Sequence, residues 1–213
     1  LGETRRSAAW ALSRIPLAAP SVALRGRLMD AALHDPESRV RAWLIRAVAP
    51  FVPDPSLFAT LANDDAMEVR LAAVRAMAKH GCDGAALTER LGDVDAGVRM
   101  EALTSAATCP GVDVAPLREA LAQGGAAERA AALRSLKERK ALPAALAEFQ
   151  TEAWPLAVRI ASVESMDERP RLLRIALRNA DPRLRSAAAG VILGGDEPPR
   201  ANEIVELLAA ADF

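Results

Sequence analysis

The side chains able to do acid–base, nucleophilic or metal chemistry are few and scattered. His34 and His80 are the only histidines among 213 residues, and Cys82 and Cys109 the only cysteines. A zinc site would need a compact set such as HExxH or clustered Cys and His, and no such spacing occurs. Each histidine falls at the end of a helical run, where the helix dipole favours a cation. Cys82 stands two residues from His80, but a thiolate nucleophile also needs a base in reach and a third group to orient it. Two cysteines without CxxC spacing make no disulfide framework. Two buried or half-buried thiols in a reducing, cytoplasmic compartment are therefore expected. The carboxylate pairs Asp64-Asp65, Asp93 with Asp95, and Asp167-Glu168 could do acid–base work or hold a cation. Their recurring location at turns and helix starts accounts for them. Gly124-Gly125 and Gly194-Gly195 follow helical runs rather than strands, so neither makes a phosphate loop. The expectation is no catalytic residue, no metal and no cofactor.

What recurs instead is arginine. Val40-Arg41, Val69-Arg70, Val98-Arg99, Glu128-Arg129, Val158-Arg159 and Leu184-Arg185 are spaced 29, 29, 30, 30 and 26 residues apart from arginine to arginine. Three residues after each arginine stand Leu44, Ala73, Ala102, Ala132, Ser162 and Ala188, and seven after it Val48, Met77, Ala106, Leu136, Met166 and Ile192. With the residue before the arginine these form an i, i+4, i+8 stripe, the mark of an amphipathic helix packed on one side. Arg5, Ala8 and Leu12 fit the same frame. Six residues before three of the arginines sit Asp35, Asp64 and Asp93, each able to cap a helix or to accept from an arginine. Asp181 precedes Arg185 in a shortened version, while Gln123 and Ala153 break the pattern. Pro36 and Pro182, each after an aspartate, read as first-turn prolines.

Composition supports helices packed on helices. Hydrophobic residues make up 51% but aromatics only 3%, so the core is built of alanine, leucine and valine rather than the β-branched and aromatic mix of sheets. With 27 basic and 28 acidic residues, the chain lacks the cationic excess of a general nucleic-acid binder. Residues 1–50 hold eight arginines and four acids, against eight and ten in 151–213, which makes the first quarter the basic end. No apolar run is long enough to cross a bilayer.

Shorter helical runs at 21–33, 54–61, 84–91, 113–122, 140–149 and 168–178 precede the arginine-bearing helices, with Gly and Pro breakers once per unit. The predicted organisation is one domain over 1–213. It comprises a partial repeat 1–15, repeats at about 21–50, 51–81, 82–109, 111–138, 140–166 and 167–194, and a terminal helix at 198–212. The fold class is all-α, a solenoid of about six stacked antiparallel helix hairpins without a sheet.

The segments Asp35-Pro36-Glu37-Ser38-Arg39-Val40-Arg41-Ala42-Trp43-Leu44, Asp64-Asp65-Ala66-Met67-Glu68-Val69-Arg70 and Asp181-Pro182-Arg183-Leu184-Arg185 resemble the second helix of HEAT repeats. The period is similar to the short repeats named after phycobilin lyases. The resemblance implies a right-handed superhelix with second helices on the concave face, and a non-catalytic role in binding proteins. Less favoured are a HEAT-like DNA-binding or base-excising enzyme and a chromophore-lyase-like accessory protein.

The ladder of Asp35, Arg41, Asp64, Arg70, Asp93, Arg99, Arg129, Arg159, Asp181 and Arg185 is read as structural, its arginines pairing with turn carboxylates within or between repeats. A second column, five residues past each ladder arginine, holds Arg46, Arg75, Thr104, Arg134, Glu164 and Gly190, with Lys79 one turn beyond Arg75. It is expected to face solvent. Trp43 takes a position where other units have Ala72, Glu101, Ala131, Ala161 and Ala187. Trp10 is read as packing at the irregular start of the array, and Trp154 as a plug beside Pro155. The expected binding surface comprises Trp43, Arg46, Arg75, Lys79, Arg134 and Glu164. It would suit a protein or peptide partner with acidic and apolar groups, aromatic anchors beside arginines being common at binding hot spots.

Overall fold

The computed structural model describes residues 2–15, 20–52, 54, 56–141, 175–178, 185, 188–189 and 205. Contacts divide the chain into two compact units, Leu1–Leu117 and Arg118–Phe213. The described helices are α1 (Gly2–Leu12), α2 (Val22–His34), α3 (Ser38–Val48), α4 (Ser56–Leu61), α5 (Met67–His80), α6 (Gly84–Leu91), α7 (Ala96–Ser105), α8 (Val114–Gln123) and α9 (Ala126–Glu138). A 3-10 turn over Ala49–Phe51 extends α3, and no strand occurs among the described residues. The architecture is all-α.

In the first unit α1, α3, α5 and α7 pack in succession, while α2 lies on α3, α4 on α5 and α6 on α7. This is a stack of helix hairpins. The arginine-bearing helix of each pair forms the continuous inner layer, which explains its small residues. Val40, Val69 and Val98, then Leu44, Ala73 and Ala102, then Val48, Met77 and Ala106 are all buried. An alanine at the central position lets one helix approach the next. Phe58 of α4 and Leu87 of α6, the helices that lie on α5 and α7, are fully buried. Each contributes about 2 kcal/mol relative to an exposed position.

Polar side chains set the helix boundaries. Ser21 accepts from the Leu24 amide, Asp83 from Ala85 and Ala86, and Asp95 from Gly97 and Val98. The ladder aspartates do something else. Asp35, Asp64 and Asp93 accept from the amides of Glu37, Ala66 and Asp95, two residues on and still ahead of the helix. Pro36 consequently lies in this turn and not in the first turn of α3, contrary to the reading of the sequence, because Glu37 is the N-cap.

A second correction concerns the cysteines. Cys82 and Cys109 are joined as a disulfide, with Cα atoms 5.6 Å apart, instead of standing as two thiols. Their loops meet because successive hairpins stack. Gly84, opening α6, lies against Pro110 and Gly111 so closely that a Cβ there would fall 2.4 Å from the Gly111 carbonyl carbon and 2.5 Å from the Pro110 oxygen. Gly111 adopts φ +77, a conformation suited to glycine. The Thr88 hydroxyl completes the seam, donating to the Gly84 carbonyl and accepting from the Asp113 amide.

Candidate functional site

Two columns of charge run along the arginine-bearing helices of the first unit, and they behave differently. In the first, Arg5, Arg41 and Arg70 reach forward one repeat. Arg5 Nε donates to Asp35 at 2.9 Å. Arg41 donates through Nε and Nη2 to both oxygens of Asp64, at 2.9 and 2.7 Å. Arg70 does the same to Asp93, at 2.8 and 2.9 Å. Three arginines of this column reach back: Arg41 Nη1 donates to the Asp35 carbonyl, Arg70 Nη1 to those of Asp64 and Asp65, and Arg99 Nη1 to those of Asp93 and Val94. Planar, forked guanidinium geometry permits this double use, which lysine would not. The Arg70 side chain is 10% exposed and that of Asp93 only 2%.

Arg90 adds to this rung, approaching Asp93 at 3.5 Å and donating to the Ala62 carbonyl. The hydrogen bonds from Arg41 to Asp64 and from Arg70 to Asp93 raise the arginine pKa values above the ordinary one. Burial opposes ionisation of Asp93, but hydrogen bonds from Arg70 and the Asp95 amide outweigh it and hold its carboxyl below the usual aspartate range. A parallel contact joins the Ser38 hydroxyl to Glu68, whose pKa is lowered by it. In the second unit Arg129 donates to the Ala122 carbonyl. Arg185 is helical, whereas Arg159 and Asp181 lie outside the described residues.

The second column is open in the first unit, where Arg46, Arg75, Thr104 and Lys79 are exposed; Arg134, in the second unit, is exposed too, and Glu164 and Trp154 lie outside the described residues. Arg75 Nε donates to Glu101 at 2.9 Å, crossing from one repeat to the next. Trp43 is half-buried. Trp10 is 48% exposed, with Arg14 stacked 5.0 Å from its ring centroid. It stands five residues past Arg5 and so shares the register of Arg46 and Arg75. That shared register is legible in the spacing.

A groove of about 350 Å³ opens beside this column, lined by Leu12, Ser13, Arg14, Ile15, Arg46, Ala47, Pro50 and Phe51. No periodic pattern announces it, because it depends on the 3-10 turn after α3 approaching the end of α1. The histidines sit at the ends of α2 and α5, with His34 Nδ1 3.1 Å from Asp30. Among the described residues no three His, Cys, Asp or Glu side chains are grouped to hold a metal ion.

These features define an all-helical repeat protein of stacked hairpins. No protein-family model matches the chain, and no curated protein is significantly similar to it.

Proposed function

We propose that this chain is a non-catalytic binding module of the HEAT-like, short-period type, and that its partner is a protein docking on the face of the arginine-bearing helices. The observation carrying this reading is the division of labour between the two arginine columns. One is committed to carboxylates and carbonyls of the stack, while the other presents Arg46, Arg75 and Lys79 to solvent on helices whose opposite faces are fixed by burial. Repeat arrays can vary such positions without disturbing their packing. The DNA-binding alternative is less well served, since Arg41 and Arg70 are engaged by Asp64 and Asp93 and unavailable to phosphates. We extend the proposal to location. A disulfide between two structural cysteines fits an oxidising compartment better than the cytoplasm expected from the sequence.

The test is to map a captured partner by hydrogen–deuterium exchange and to repeat capture with Arg75→Glu/Lys79→Glu. Protection on α3, α5 and α7, lost in the variant, is expected. Protection confined to α2, α4 and α6 would overturn the assignment of the face.

A further inference from the structure

Among the exposed cations of the second column, Arg46 is singled out by register. Arg75 finds Glu101, which stands two residues past the ladder arginine of the next repeat. The same position one repeat earlier, opposite Arg46, is Ala72. Arg46 makes no hydrogen bond or ion pair with any described residue, so the stack that neutralises Arg75 leaves Arg46 uncompensated. One repeat earlier again, the corresponding pair of positions is Trp10 and Trp43. Arg14 lies over Trp10 and, like Arg46, has no carboxylate beside it among the described residues.

Between these two guanidiniums runs the groove floored by Leu12, Ile15, Pro50 and Phe51, and its lining contains no acidic residue. Ile15 is 62% exposed there. Apolar surface rimmed by unneutralised arginine favours a ligand carrying both an apolar side chain and a carboxylate, the charge steering it and the apolar contact holding it.

Building on the binding-module reading, we infer that this groove receives an acidic, apolar-anchored peptide segment of a partner protein. A leucine-sized side chain enters between Ile15 and Phe51. Flanking carboxylates meet Arg46 and Arg14, the latter stacked on Trp10.

The experiment uses the full chain and fluorescein-labelled peptides that alternate leucine and glutamate. Control peptides replace glutamate by lysine or leucine by serine. Anisotropy should show binding of the leucine–glutamate peptide with a change in tryptophan emission, and weaker binding of both controls. Arg46→Glu should weaken it at least about tenfold without altering the melting temperature, and Arg14→Glu should act in the same direction. Arg46→Lys should retain part of the affinity. Equal binding of the lysine peptide, equal binding of the serine peptide, or an unchanged Kd in Arg46→Glu would each overturn the groove assignment, as would no binding by any peptide. Loss of binding in Arg75→Glu/Lys79→Glu but not in Arg46→Glu would reject the groove while leaving the wider surface standing.

Discussion

Arg70 and Asp93, 23 residues apart in sequence, meet through two parallel hydrogen bonds in a site where neither side chain is more than a tenth exposed. A buried pair of this kind is costly to break from one side, because the remaining charge is left desolvated. Arg70→Met is expected to lower unfolding free energy by about 3 kcal/mol. Adding Asp93→Asn, which removes the stranded charge and keeps an oxygen for the Asp95 amide, should restore part of this. Urea titration of the wild type, the two single variants and the double variant measures the coupling. An additive cycle would show that the pair does not act as a unit.

The same carboxylate gives stability a pH dependence whose sign is fixed. Unfolded, an aspartate titrates at about 3.9; folded, the Asp93 pKa lies lower, burial being outweighed by the hydrogen bonds from Arg70 and the Asp95 amide. The folded state therefore binds fewer protons. The contribution is present in full above the unfolded value and drains away as pH falls through that value towards the folded one. Glu68, held by Ser38, acts in the same direction. Melting temperatures between neutral and acid pH should fall less steeply in Asp93→Asn than in the parent. Parallel acid limbs would count against the assignment.

The disulfide closes a loop with a sequence separation of 27. On chain entropy its removal costs about 3.5 kcal/mol. Thiol titration should find no reactive thiol in the native protein, and two after reduction in denaturant. Reduction, or the Cys82→Ser/Cys109→Ser variant, should lower the melting temperature. Two titrating thiols in protein purified from an oxidising compartment would refute the pairing.

Two glycines predict opposite outcomes for the same substitution. At Gly84 a methyl group would collide with backbone atoms of Pro110 and Gly111, so Gly84→Ala should destabilise by about 1–3 kcal/mol. At Gly26, inside α2, a Cβ would meet nothing within 4 Å. Gly26→Ala should stabilise by about 0.5–1 kcal/mol through reduced backbone freedom in the unfolded chain. Equilibrium unfolding of both variants tests the contrast.

Val69, Arg70, Ala73 and Met77 were legible because a repeat prints the same packing problem several times, and the spacing of its solutions exposes the helix face. The direction of pairing was not. Arg70 has Asp64 six residues behind and Asp93 a repeat ahead, and only stacking decides that the first contributes its carbonyl and the second its carboxylate. Cys82 and Cys109 carried an overlooked signal. They are separated by nearly one period and both lie between helices, the arrangement that stacking brings together. The groove beside Arg46 was illegible for a different reason: it arises from how one irregular turn meets the end of α1, which no periodic pattern encodes.

The forward-reaching rungs also bear on how such a chain can change length. Arg41 to Asp64 and Arg70 to Asp93 have the same sequence separation, so the unit between them offers one plug and one socket. Between Arg41 and Asp93, duplicating or excising a whole unit leaves each of these plugs facing a socket of the same kind, whereas Gln123 and Ala153 carry no carboxylate at the equivalent positions. An insertion of half a unit would strand a guanidinium and a carboxylate together, each without its mate. Over these two rungs the joints are interchangeable, and their electrostatics favour a change by whole units over a change by fractions of one.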